Sequence, residues 1–180
     1  VAGSSSYAAQ GGVAAAMGAE DSFALHAAET IMVGEGRNDR DMVELVVHEG
    51  PSVIQWLLGM GARFDRNLEG HLELAREGGH SVARVVHHLD RTGGEIVRAL
   101  RECLLQARAV ELIEGQRAVD LVVEEGPNGR ACAGVRAIDL ANGDMMEHRS
   151  DVVVLATGGV GQAYNHTTNP AEATGDGIAM

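Results

Sequence analysis

Apolar positions recur at helical spacing over the first two thirds of the chain and in strand-like runs after it. The opening stretch, residues 3–12, is small and polar and reads as a tight loop, because an apolar segment at 13–17 follows at once. Asp21-Ser22 supplies an N-cap for a helix with Phe23, Ala27, Thr30 and Ile31 on one face, ended by Gly34 and Gly36. Asp39 caps a second helix carrying Met42, Leu45 and Val46 and closed by Gly50. Pro51 fits the first position of a third, with Ile54, Trp56, Leu57 and Leu58 as its apolar residues, stopped by Gly59 and Gly61.

Residues 62–92 show no clear period. They hold many charges, four histidines (His71, His80, His87, His88) and Gly78-Gly79. A loop this long in a compact domain is functional or disordered, and interleaved apolar residues favour the first. Thr92-Gly93-Gly94 leads into a helix with Ile96, Leu100, Leu104 and Ala107 on one face. Strand-like runs follow at 110–113, 118–123, 134–140 and 145–148. Asn142-Gly143 is a hairpin-turn signal between the last two, and Pro127-Asn128-Gly129 marks another turn. Residues 151–156 form a continuous apolar run, as in a strand buried on both faces of a parallel sheet, ending in Thr157-Gly158-Gly159. There is no internal repeat.

Composition narrows the function. At 180 residues the chain is long enough for one domain with a core. Only 3% of residues are aromatic, against 24 glycines, which favours an α/β protein with many backbone-defined turns over stacking platforms for single strands. A net charge of −12 argues against nucleic acid and anionic lipid as partners. Cys103 and Cys132 are too few and too far apart for a disulfide framework or a zinc site, so a reducing compartment fits. No apolar run is long enough for a membrane span and no signal peptide is visible. Val1 and the apolar Gly177-Ile178-Ala179-Met180 read as ends cut from a longer protein.

Three segments carry candidate chemistry. The 151–159 run puts small residues at the carboxyl end of a strand, where open α/β sheets bind ligands; the plain alternative is a glycine turn after a core strand. In the opening loop Ser5, Ser6 and Gln10 offer polar groups and Gly11 and Gly12 unobstructed N–H groups, the composition of a nucleotide-wrapping loop or of an ordinary polar turn. Arg76-Glu77-Gly78-Gly79-His80-Ser81, with Arg84, His87, Asp90, Arg91 and Thr92 after it, arranges charge suited to a small dicarboxylate, or forms a solvated loop. No metal-ligand spacing and no nucleophile with a paired base is present, which argues against triad hydrolysis.

Taken in order, residues 5–12, 76–81, Asp90-x-Thr92-Gly93, 118–121 (Ala-Val-Asp-Leu), 155–159 (Leu-Ala-Thr-Gly-Gly), 167–170 (Thr-Thr-Asn-Pro) and 174–180 (Thr-Gly-Asp-Gly-Ile-Ala-Met) resemble the L-aspartate oxidase family. They are also similar to its relatives, the flavoprotein subunits of succinate dehydrogenase and fumarate reductase. The resemblance implies an α/β fold, part of a Rossmann-like FAD-binding domain with a helical segment and a β-hairpin-containing sheet. It implies that the family's first βαβ unit and capping domain lie outside residues 1–180.

The implied activity is FAD-dependent oxidation of L-aspartate to iminoaspartate, with oxygen or fumarate as acceptor. That is the first step of NAD (quinolinate) biosynthesis in the cytoplasm, with quinolinate synthase as a partner. FAD contacts are implied at Ser5, Ser6, Tyr7, Ala8, Ala9, Gln10, Gly11 and Gly12, at Arg117 and Ala118, and at Asp176, with residues 156–159 lining the cleft. Where the succinate dehydrogenase branch carries its flavin on a histidine, this chain has Ser5, so the FAD is expected to be non-covalent. Glu77 is the residue implied to recognise the substrate's amino group, a group succinate lacks. Ala75 departs from the threonine common there in aspartate oxidases. The family's catalytic arginine lies outside these residues, so the chain alone is expected neither to hold FAD tightly nor to turn over. The alternatives are a fumarate reductase or succinate dehydrogenase flavoprotein, and a non-catalytic nucleotide-binding module.

Overall fold

The computed structural model describes residues 3–127 and 129–180. The chain forms two compact units, one of residues 6–107 and one of 3–5 with 108–180.

The first unit contains the short helix α1 (Ser5–Ala8, whose first residue belongs to the second unit), β1 (Val13–Ala14), α2 (Phe23–Val33), α3 (Arg40–Gly59), β2 (Leu74–Ala75), β3 (Val85–Val86) and α4 (Thr92–Gln106). The caps fall where the sequence places them. Ser22 accepts the Leu25 N–H and Asp39 accepts that of Met42, satisfying amides the first turn leaves unbonded. The opening stretch is helical over α1 where a loop is expected, a single turn before the glycines.

The two helices expected on either side of Pro51 are one. Proline removes an N–H and crowds the preceding turn, a cost of about 3 kcal/mol in a helix interior. The helix continues because Val47, Ile54 and Leu57 bury one face on both sides of that residue. Ile54 and Leu57 join Ala15, Ala62, Phe64, Val86 and Ala99 in the core, with Ile96 and Leu100 of α4 packed against it. The aperiodic stretch 62–92 contains β2 and β3, which with β1 form an antiparallel sheet of order β1-β3-β2.

The second unit is built on β4 (Gln116–Gly126), β5 (Gly129–Asp139) and β6 (Met145–Arg149), antiparallel in that order. Asn142-Gly143 makes the β5–β6 turn: Gly143 takes φ +80° and Asn142 Oδ1 accepts the Asp144 N–H. The turn expected at 127–129 includes Asn128, which lies outside the described residues. The run 110–113 forms no strand. Nor does 151–156, where Val152 is 75% and Val154 83% exposed instead of buried. A strand is defined by its ladder, and among the described residues nothing pairs with this segment; both sheets are antiparallel. A short helix, α5 (Asp176–Ala179), closes the unit.

Candidate functional site

In the first unit the opening segment is seated on α4 and β3. Gly93 donates its N–H to the Ala9 carbonyl at 2.9 Å, and Thr92 Oγ1 donates to the Gly11 carbonyl at 3.1 Å while accepting the His88 N–H. Gln10 Nε2 donates to Asp90 Oδ2 at 2.9 Å. Two glycines allow this approach. A β-carbon on Gly12 would stand 2.5 Å from the Val86 carbonyl oxygen, closer than any side chain tolerates. Gly11 faces the other way, and the nearest atom to a β-carbon there would be Glu77 Oε1, at 3.9 Å. The structure therefore brings together the opening loop, Asp90-x-Thr92-Gly93 and Glu77, three separate motifs of the sequence.

Glu77 sits in an exposed turn between β2 and β3, where His80 donates its N–H to the Glu77 carbonyl. Arg76 is exposed as well. Arg84, expected among the charges around a dicarboxylate, is not available to one. Its side chain is fully buried, with Nη2 2.9 Å from both Asp21 Oδ1 and Glu29 Oε2. Glu29 Oε1 accepts the Ser81 N–H at 3.0 Å. Hydrogen bonds from the Ser81 side chain hold the Glu29 carboxyl below its usual range against the opposing effect of burial, helped by the Ser81 N–H and Arg84. Burial, then Arg84, pushes the neighbouring His26 imidazole below its ordinary value. His87 is spoken for too, with Nδ1 3.0 Å from Asp65. A cavity of about 320 Å³ is lined by Glu29 and Thr30 of α2 and by Gly78, Gly79 and His80 of the turn.

Asp21 and Glu29 were invisible as site residues in the sequence. The faint signal is that Glu29 and His26 stand on the buried face of α2, where charge is out of place.

In the second unit two motifs meet. Gly175 donates its N–H to the Gly159 carbonyl at 3.1 Å, and a β-carbon on Gly177 would lie 1.8 Å from Thr157 Oγ1. Asp176, exposed at the start of α5, is thus fixed beside residues 157–159. Gly158, at φ +81°, and Gly159 have open space where side chains would be. Arg117 and Ala118 lie in β4, on a different element from Asp176.

A dinucleotide needs polar backbone that it can approach closely, and Gly11 in one unit and Gly158 and Gly159 in the other offer such surfaces. Taken unit by unit, the residues present are of the kind FAD needs: Gln10, Gly11 and Gly12 within the first unit, and Gly158, Gly159 and Asp176 within the second.

Comparison with known proteins gives the class. The chain belongs to the FAD-binding domain family, whose model matches residues 1–180, and its cofactor is FAD. Among curated proteins it is 43% identical over 172 residues to L-aspartate oxidase 2-b, chloroplastic, of Nicotiana tabacum, covering 96% of this chain and 26% of that one. It is 42% identical over 174 residues to the L-aspartate oxidase of Streptomyces coelicolor, covering 96% and 30%. Among solved structures it superposes on an E. coli quinol fumarate reductase with a TM-score of 0.89 at 30% identity, covering 98% of this chain and 30% of that one. The Mycobacterium smegmatis Sdh1 complex in the apo form gives 0.87 at 30%, covering 98% and 32%. The chain spans about a quarter to a third of the relatives it matches.

Proposed function

We propose that the protein carrying this chain is an FAD-dependent L-aspartate oxidase that converts L-aspartate to iminoaspartate, with oxygen or fumarate as acceptor, in NAD biosynthesis. The observation that carries the reading is Glu77. Its carboxylate stands near Gly11 of the opening loop, exposed on the β2–β3 turn, and it offers a partner for an ammonium group. Succinate and fumarate have no such group, so the carboxylate favours the amino acid. The names of the curated relatives support the same substrate.

FAD supplies the hydride acceptor for the substrate's α-carbon. This chain's residues do the holding. Gln10, fastened by Asp90, and Gly11 and Gly12, fastened by Thr92 and the β3 backbone, line the cofactor in the first unit. Ser5, Ser6, Tyr7, Ala8 and Ala9 continue that contact. Within the second unit, Arg117, Ala118 and Asp176 are the proposed cofactor contacts, and Ser5 leaves the cofactor non-covalent. No helix among the described residues is long and apolar enough to cross a membrane. The cytoplasm and quinolinate synthase remain the proposed setting and partner; the tobacco relative is named chloroplastic.

The solved structures favour a second reading, a dicarboxylate oxidoreductase of the fumarate reductase type. Anaerobic bleaching of the flavin in the full-length protein separates the two. L-aspartate is expected to bleach it and succinate to leave it oxidised. Bleaching by succinate alone would move the protein to the dicarboxylate branch.

A further inference from the structure

The turn that bears Glu77 is fastened at three points, two of them through the buried Arg84 and its partner Glu29. The backbone N–H of Arg84 donates to the Ala75 carbonyl at 3.1 Å, closing the base of the β2–β3 hairpin. The Arg84 side chain reaches Asp21 and Glu29, both at 2.9 Å. The second oxygen of Glu29 takes the Ser81 N–H, so the far limb of the turn hangs on the same cluster. At the tip, Gly79 adopts φ +87° against Val33, where a β-carbon would stand 2.8 Å from Val33 Cγ2. The turn is therefore held at its base, on its returning limb and against the end of α2, while the Glu77 side chain stays exposed.

Burying a guanidinium with two carboxylates is a poor way to join two elements. Each ion loses several kcal/mol of hydration, and apolar side chains of similar volume hold elements together as well or better. What charge adds is direction. A guanidinium with two carboxylates fixes one arrangement of the elements that carry them, where apolar contacts tolerate sliding. Here those places are the residue before the α2 cap, the middle of α2, and the residue that leads into β3.

We infer that Asp21, Arg84 and Glu29 form a positioning triad that holds residues 76–81 so that Glu77 meets the ammonium of an amino-dicarboxylate substrate. The inference rests on the oxidase reading above. It makes Glu29, 48 positions back from the recognition residue by numbering, a determinant of selectivity without touching substrate. A loosened turn leaves the substrate's two carboxylates bound as before and loses only the ammonium contact.

The test uses the full-length flavoprotein as wild type, Glu29→Ala and Glu29→Gln. Hydrogen–deuterium exchange of the 76–83 peptide reads the turn, and KM for L-aspartate against Ki for succinate reads selectivity. Glu29→Ala is expected to speed exchange and raise KM about tenfold, the size of one lost charge-assisted hydrogen bond, with Ki within about twofold of wild type. Unchanged exchange, or KM and Ki rising together as in general loosening of the fold, would overturn the inference. Glu29→Gln keeps an oxygen for Ser81 and the same volume, and is expected between the two. It decides alone if the alanine variant does not fold: a raised KM at constant Ki supports the triad, and any other pattern overturns it. Failure of the wild type to oxidise L-aspartate defeats the oxidase reading itself, before either variant is compared.

Discussion

Gly93, the second residue of α4, lies so close to Ser6 that a β-carbon on it would stand 1.9 Å from the Ser6 carbonyl oxygen. The atom in the way is backbone, so no rotamer change relieves the clash. Gly93→Ala is expected to push the opening loop off α4, break the Gly93–Ala9 hydrogen bond and destabilise the protein by about 1–3 kcal/mol. Thermal denaturation checks the stability. Flavin content after gel filtration of the full-length protein checks the loop, and should fall below wild type.

Glu77→Gln removes the charge while keeping size and exposure. The expected result is a rise in KM for L-aspartate of about ten- to a hundredfold, the value of one charge-assisted contact, with succinate inhibition little changed. Steady-state kinetics with both ligands decides it. Equal losses for both would remove Glu77 from ammonium recognition.

The His26 imidazole is held below its ordinary value, chiefly by burial and then by Arg84. The unfolded chain accepts a proton there at a pH where the folded protein still refuses it. The stabilisation is complete above the unfolded value and is lost as pH falls through the folded one. Chemical denaturation at pH 7.5 and 5.5 should show lower stability at the acid value. His26→Phe should reduce that difference. Glu95 behaves alike in a lower window: hydrogen bonds from Arg98 hold its carboxyl down, so its contribution goes only below the usual carboxylate range.

Pro51 interrupts the hydrogen-bond ladder of α3 without ending the helix. Pro51→Ala returns an N–H donor there and should stabilise the protein by about 1–3 kcal/mol, read as an upward shift in melting temperature. A drop would show that the ring's packing outweighs the missing bond.

The local features were legible. Ser22 and Asp39 cap helices because a side-chain oxygen three residues before a free amide suffices, and Asn142-Gly143 makes its turn from its own backbone preferences. What failed was decided at a distance. Pro51 sits inside a helix because Val47 is buried before it and Ile54 and Leu57 after it share a core with residues far away in sequence. Residues 151–156 have the apolar content of a core strand but no strand to pair with among the described residues. The glycine motifs announced themselves because glycine marks close approach. Asp21 and Arg84, 63 residues apart, did not, since a charge in a helical or loop stretch reads as surface until its partner is found.

The unpaired stretch Val152-Val153-Val154-Leu155 bears on how the chain behaves in concentrated solution. Rich in β-branched residues, with Val152, Val154 and Leu155 exposed, it has the properties by which one polypeptide templates cross-strand stacking on another. The charge of Asp151 before it acts as a gatekeeper, and the net charge of −12 keeps molecules apart. Salt screens that repulsion, so turbidity of the 180-residue chain should rise with ionic strength and protein concentration, and a Val154→Lys substitution should delay it.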